Sequence, residues 1–306
     1  MRLAVSLLLL HSAVFAATGN IIADVRAAIA QRDFSLGEKH ITDYRSRGGV
    51  TPEMLAALSW LGRGALAEKQ FDKADAYAAE TRKLALSELK KRPLDAEAHL
   101  PIALGASIEV QAHVMDGRGE RGEAVSFLKR ELEAWRDTSI RTRIQKNIHL
   151  LSLEGKPAPA LELAEWVGEK PVPVEKLKGN AVLLFFWAHW CGDCKGQAPV
   201  LAQLQSAYGK KGLIVMGPTQ RYGYTARGED AAPEMEKPYI DSIRRQFYSS
   251  VADMRTPVSE ENFKNFGVST TPTLVLIDRK GIVRLYHPGK MPYQALAPHV
   301  EAALGR

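Results

Sequence analysis

The stretch FFWAHWCGDCKGQAP, residues Phe185 to Pro199, decides how the chain is read. It holds both cysteines of the 306-residue sequence, Cys191 and Cys194, with Gly192 and Asp193 between them. The apolar run Ala181 to Trp187 leads into the pair, and a helix-forming segment, Lys195 to Tyr208, leads away from it. That order predicts a buried strand giving way to a helix at Cys191. Unpaired backbone N–H groups and the helix dipole stabilise an anion at a helix N-terminus, so the thiolate of Cys191 is favoured there. The thiolate is the nucleophile of thiol–disulfide exchange. Cys194, one turn further on, is expected under the helix and facing the first sulfur, a geometry suited to a pair that opens and closes.

The chain is long enough for two domains with cores of their own. Its net charge of +6 is spread over both halves without a basic block, which argues against nucleic-acid binding and against strong lipid binding. Residues 1–16 read differently. Arg2 supplies a positive start, Leu3 to Phe15 is mostly apolar, and Val14-Phe15-Ala16 offers a cleavage site, so a secretory signal peptide cleaved after Ala16 is expected. The alternative is an uncleaved anchor, but the apolar stretch, interrupted by His11, is short against the roughly 20 residues of a spanning helix. The expected location is therefore periplasmic or otherwise extracytoplasmic, without permanent membrane insertion, where disulfides form and must be managed. No cysteine follows the apolar region to carry a lipid, and two cysteines at CxxC spacing are not a structural disulfide framework.

From Asn20 to about Ser152 apolar residues recur three and four apart, as in Met54, Leu55, Leu58, Leu61, Ala65 and Leu66. Helices are predicted near 20–31, 34–46, 53–68, 71–91, 96–115, 121–136 and 139–152. Thr51 and Pro52 should open the third, Gly48-Gly49 should end the second, and Asp95 should cap the fifth. The spacing of Gly62 and Phe71 against Ala74 resembles a tetratricopeptide repeat, and Phe34 and Gly37 repeat part of it. A helical-repeat groove that binds a protein partner and a generic helical domain of degenerate hairpins both fit. Nothing here looks catalytic: His40, His99, His113 and His149 are scattered without ligand spacing, and Trp60 and Trp135 read as packing residues.

Composition changes after Ser152. Gly155 to Pro159 reads as a linker, Leu161 to Ala164 as a strand, and Pro171 to Val174 as its partner in a short hairpin around Gly168. A turn of helix over Glu175 to Gly179 then leads to the central strand AVLLFFW. Leu213 to Met216, Thr273 to Ile277 and Ile282 to Tyr286 read as further strands, and Tyr293 to Leu304 as a closing helix. Strands and helices in this order make a layered α/β domain.

Three separated features carry a family likeness: the W-C-x-x-C stretch, Pro199 eight residues after Cys191, and Thr271-Pro272-Thr273 before a strand. With GKPAPALELAEWVGEKPVPVEKLKG upstream and FGVSTTPTLVLIDRKGIV downstream, residues 155–306 resemble the TlpA/ResA family of extracytoplasmic thioredoxin-fold thiol–disulfide oxidoreductases. Two domains are expected behind the signal peptide (1–16): an all-α helical-hairpin domain, degenerate and tetratricopeptide-like, at 17–153, read from its periodicity and outside the resemblance, and an α/β thioredoxin-fold domain at 154–306, which the resemblance implies. The resemblance also implies that Cys191 attacks, that Cys194 resolves, and that Pro272 is a cis-proline facing them. Thr271 would then pair through its backbone with an extended substrate, beside Trp190. It further implies disulfide-bearing substrate proteins, cytochrome c maturation among the possible roles, a membrane-borne electron donor, and no cofactor or metal.

The sequence departs from that pattern in three tuning positions. Gln197 stands where the family often has glutamate, and it cannot accept a proton at neutral pH. Phe185 replaces the buried acid of thioredoxins, which leaves no named general base. Asp193, negative beside Cys191, disfavours its thiolate and argues for a reducing pair. His189, two before Cys191, either aids the thiolate when protonated or, partly exposed at the strand end, only tunes the site. Between Pro218 and Tyr239 a long loop is expected before a helix over Tyr239 to Val251, either as a partner-binding element or as a mobile insertion. The leading function is disulfide reduction by a Cys191/Cys194 cycle. The rival is a helical-repeat binding scaffold with a redox-silent thioredoxin-like domain. A thiol peroxidase does not need the CxxC pair, and a metal site lacks a second CxxC.

Overall fold

The computed structural model describes residues 20–251 and 254–305, so the expected signal peptide lies outside the described residues. Among the described residues seven α-helices occupy the first half: α1 (Ile21–Ala30), α2 (Phe34–Gly48), α3 (Pro52–Ala67), α4 (Phe71–Glu88), α5 (His99–Gly117), α6 (Arg121–Ala134) and α7 (Arg141–Ser152). The first three starts follow the capping chemistry. Asn20 accepts from the Ala23 amide at 3.1 Å, Asp33 from that of Leu36 at 2.9 Å, and Thr51 from that of Met54 at 3.2 Å, with Pro52 at the first helical position. Asp95 does not cap α5. It lies in a 3-10 turn over Leu94–Ala96 and accepts from the Ser139 amide at 3.2 Å, while the Glu97 carboxylate takes the His99 and Leu100 amides. Pro101 is tolerated because it falls in the first turn, where no backbone donor is missed.

Helix α3 packs against α1, α4 and α5, and the α3 and α5 faces carry most of the buried aliphatic surface. The closest approaches need glycine: a Cβ on Gly64 would stand 2.6 Å from Ile29, and one on Gly117 2.5 Å from Phe71. Gly62, by contrast, faces Ala74 at an ordinary 3.6 Å, so the spacing noted in the sequence is not where the helices pack tightest. Among the described residues no helix is long and apolar enough to cross a membrane.

The second half is built on a four-stranded sheet in the order β3-β2-β5-β6, with β2 (Ala181–Phe186) parallel to β3 (Leu213–Met216) and antiparallel to β5 (Thr273–Ile277), which pairs antiparallel with β6 (Val283–Pro288). Every residue of β2 is buried. Ala181, Leu183 and Phe185 point to one face with α8 (Gly192–Tyr208), α9 (Pro233–Phe247) and α11 (Tyr293–Ala303). Val182, Leu184 and Phe186 point to the other, against Phe263 of α10 (Glu260–Asn265) and Phe266 beyond it. A strand covered on both faces reads as the unbroken apolar run seen in the sequence.

The expected hairpin around Gly168 is absent. Residues 161–164 are not a strand, and β1 (Trp166–Val167) pairs instead with β4 (Thr256–Pro257). Pro171 and Pro173 have no N–H to donate to a ladder, and the 161–164 backbone is held by a side chain. The Glu162 amide donates to Asn262 Oδ1 at 2.7 Å, and Asn262 Nδ2 returns a bond to the Glu162 carbonyl at 2.9 Å. Helix α9 starts six residues before the expected position, with Pro233 at its first turn, which shortens the loop.

The halves meet where α7 lies against α10 and β6. His149, buried, bonds the Asn265 carbonyl at 2.8 Å and stands edge-on to Tyr286, while the Tyr286 amide donates to Glu154 at 3.3 Å. Gly267, at φ +63, presses on the α7 backbone: a Cβ there would lie 2.4 Å from the Lys146 nitrogen. Only glycine combines that φ with that approach.

Candidate active site at the start of α8

Cys191 is the N-cap of α8, and its Sγ accepts from the Cys194 amide at 3.0 Å. The sulfur occupies the position a serine or aspartate oxygen takes in an ordinary cap, so the Cys194 amide of the first turn, which awaits an anion, is directed at it. Cys191 and Cys194 are joined as a disulfide and both are buried, Cys194 completely. The strand-to-helix junction read from the sequence is the one observed, with the helix beginning at Gly192 and Pro199 inside it.

The Thr271–Pro272 bond is cis, and Cys191 Sγ lies 3.5 Å from the Thr271 carbonyl oxygen. Thr271 is half-buried and Pro272 buried. Trp190 is the exposed aromatic next to the pair, 51% accessible, and meets Tyr222 edge-on. The fold thus brings Trp190, Cys191, Cys194, Thr271 and Pro272 together from segments 80 residues apart.

The three tuning positions part company. Asp193 is exposed and ion-paired with Lys290 at 2.9 Å. An exposed pair of this kind contributes little, but the Lys290 charge offsets that of Asp193 beside Cys191, which weakens the expected electrostatic effect. Gln197 is buried and both of its amide atoms are used: Nε2 donates to the Met291 carbonyl at 2.9 Å and Oε1 accepts from the Met291 amide at 3.1 Å. It ties α8 to the segment entering α11.

His189 is not partly exposed. It is buried, 1% accessible, because the 218–239 region folds over it. Its Nε2 lies 3.3 Å from Glu236 of α9, and Tyr222, Tyr224 and Tyr239 stand edge-on to its ring with centroids 5.2–5.3 Å away. Glu236 also accepts from the Tyr222 and Gly223 amides. Burial pushes His189 below its ordinary pKa, against the pull of Glu236 and with a small push from Lys195. The imidazole is therefore neutral at neutral pH and brings no positive charge to the Cys191 thiolate. His189 Nδ1 has no partner. Glu236, the tyrosines, Lys290 and Met291 were not read as site residues, since each lies far along the sequence from the cysteines and nothing local marks it.

Among the described residues no three His, Cys, Asp or Glu side chains stand together as a metal-binding group would require. The chain matches the family described as AhpC/TSA over residues 155–286. It is 29% identical over 141 residues to the thioredoxin-like protein YneN of Bacillus subtilis, an alignment covering 45% of this chain and 73% of that one. It is 30% identical over 136 residues to the thiol:disulfide interchange protein DsbE of Pseudomonas fluorescens, covering 42% of this chain and 64% of that one. Among solved structures it is similar to a thiol:disulfide interchange protein of the thioredoxin family from Chlorobium tepidum, at 22% identity and a TM-score of 0.40, with 49% of this chain and 97% of that one covered. All three likenesses cover less than half of this chain.

Proposed function

We infer the activity from membership: the C-terminal half of this chain is a thioredoxin-like domain of the AhpC/TSA family, akin to the thiol–disulfide oxidoreductases, and the whole chain acts as a disulfide reductase of the cell envelope. The observation that carries this reading is Cys191 Sγ at the N-cap of α8, bonded by the Cys194 amide and 3.5 Å from the Thr271 carbonyl. In the reduced form the Cys191 thiolate attacks one sulfur of a substrate disulfide. A Cys191–substrate bond forms, and the other substrate sulfur leaves as a thiolate that takes a proton from water. Cys194 then loses its proton and attacks Cys191 Sγ, releasing the second substrate thiol. The substrate gains two electrons and two protons, and Cys191–Cys194 is left oxidised until a membrane-borne dithiol donor returns the electrons.

Thr271 supports the substrate's position, since its carbonyl borders the attacking sulfur just before the start of β5 and can accept a bond from an extended peptide. Delivery to the envelope rests on residues 1–16 acting as a cleaved signal peptide. The 17–153 and 154–306 segments are proposed as separate domains, the first as a partner-binding helical array.

The test is a titration of the full chain against glutathione, with Trp190 fluorescence reporting the cysteines. A potential near the roughly −270 mV of thioredoxin supports a reductase, and one near the roughly −120 mV of strong oxidants sinks it. With a disulfide substrate, Cys194→Ser should accumulate the mixed disulfide and Cys191→Ser should form none. Equal trapping by both variants would reverse the roles.

A further inference from the structure

A groove of about 440 Å³ runs along the junction of the two halves. One wall is Ser269 and Thr270, both exposed, which lead directly into Thr271. The other walls come from the helical half, where a cationic and aromatic group stands beside the apolar Ile22, Ala56 and Ile102. The guanidinium carbons of Arg26 and Arg63 lie over the Trp60 ring at 4.6 and 4.5 Å, and Arg143 and Lys146 of α7 line the same space. Trp60, read from the sequence as a packing residue, is thus also the platform for two arginines.

The charges do not balance. Glu109 is the nearby acid, and it is already committed: Arg143 reaches it at 3.1 Å, Lys146 at 2.9 Å and Asn147 at 3.1 Å. Burial opposes its ionisation, yet these partners hold it well below the usual carboxylate range. Among the described residues neither Arg26 nor Arg63 has a carboxylate within ion-pair distance. Burial and the neighbouring Arg143 and Arg26 push Arg63 down to about 10 against the pull of Glu109, and its Nε is buried without a partner. Unpaired buried donors are costly, and stacked guanidinium groups are already oriented for a planar anion such as a carboxylate.

We propose that this groove receives an acidic segment of the substrate protein flanking the cysteine under attack, so that the helical half selects what the redox half reduces. Continuity carries the assignment to a peptide. Consecutive Cα atoms stand 3.8 Å apart, so the groove wall begins one residue from the Thr271 carbonyl. An extended peptide advances about 3.3 Å per residue and enters the groove within a few residues of the attacked sulfur. A recessed site of this size suits a chain segment and not a flat lipid surface.

The proposal rests on the thiol–disulfide reading above, and its test separates the two. Pre-reduced full-length protein is mixed with synthetic peptides whose single cysteine is disulfide-bonded to 2-mercaptoethanol and flanked by four Glu or by four Gln on either side. Peptide thiol release is followed in a single turnover. The acidic peptide should react about tenfold faster, as two or three part-buried ion pairs would give. The advantage should shrink at high salt and in Arg26→Glu, whose exposed position lets the variant fold, and vanish when Arg63→Gln is added. Equal rates for the two peptides, or a preference that survives both substitutions, would overturn the assignment. So would binding to phosphatidylglycerol vesicles lost in the same variants, which would give the groove to lipid. Bis(2-hydroxyethyl) disulfide, uncharged and too small to reach the groove, is the second arm. If wild-type protein fails to reduce it, the redox reading falls and the groove proposal with it; if it is reduced without any acidic preference, the groove proposal falls alone.

Discussion

On either side of the cysteine pair stands one buried polar side chain, and the protein treats the two differently. Gln197 has its donor and its acceptor both matched by the Met291 backbone. His189 has one nitrogen facing Glu236 and the other without a partner. A fully matched amide is a clamp that does not change with pH. A half-matched imidazole beside a buried carboxylate is held in place by what surrounds it, and its stability contribution depends on protonation. The helix side of the pair is fixed by complementarity, and the strand side is fixed by enclosure.

Four outcomes would sharpen or break that contrast. The largest effect is expected at Glu236, which serves two backbone amides and His189 at once. Glu236→Ala should cost about 3 kcal/mol in a denaturant titration, since several buried donors lose a charged acceptor together. A loss within about 0.5 kcal/mol would mean that the aromatic packing alone holds the loop. Next comes Gln197→Glu, which sets a carboxylate oxygen against the Met291 carbonyl and should cost about 2 kcal/mol. If it instead left stability intact, the clamp would be an ordinary surface bond and the contrast would be lost.

A shallower effect concerns pH. His189 and His149 are both pushed below their ordinary values, chiefly by burial. The unfolded chain therefore binds more protons than the folded one in the interval below about 6.5. Stability is complete above that pH and declines as pH falls through the interval towards the lowered folded values. Glu109, held low by Arg143 and Lys146 against its burial, adds a second loss below about 4.3, where the unfolded chain takes a proton that the folded carboxylate does not. Unfolding free energies measured across both intervals should show two steps, and His189→Gln should flatten the first while Gln197→Met leaves its slope alone. An unchanged slope in His189→Gln would show that the strand side is as indifferent to pH as the helix side. The smallest effect is expected at Asp193, exposed and offset by Lys290. Asp193→Asn should make the pair slightly more oxidising, by less than about 30 mV. A shift of several times that size would restore Asp193 as a principal determinant of the potential.

The sequence was informative wherever structure follows from local periodicity. The seven helices of the first half and the strands β2, β3 and β5 appear within a few residues of where their apolar spacing puts them, because buried faces impose that spacing directly. The hairpin around Gly168 failed for the opposite reason: alternation over four residues is weak evidence, and the bond that decided the matter came from Asn262, 100 residues away. The cysteine pair and its cis-proline were legible through motif and order. The enclosure of His189 was not, since its burial depends on Glu236, 47 residues on, and on tyrosines whose spacing shows no common face. The basic groove was invisible for a like reason: Arg26, Trp60, Arg63, Arg143 and Lys146 are unremarkable singly and acquire meaning only when α1, α3 and α7 meet the Ser269–Thr270 loop.

Gly267 makes the two halves hard to trade. Its missing side chain is the room into which the α7 backbone fits, and the loop it begins runs on to Thr271. A redox half transplanted onto another helical half would keep its cysteines and its sheet, but it would carry a hollow shaped for a helix no longer there. Exchange between such proteins is therefore constrained at a point that contains no chemistry at all: the new helix must leave the same space beside residue 267, or the substrate-facing loop loses its support.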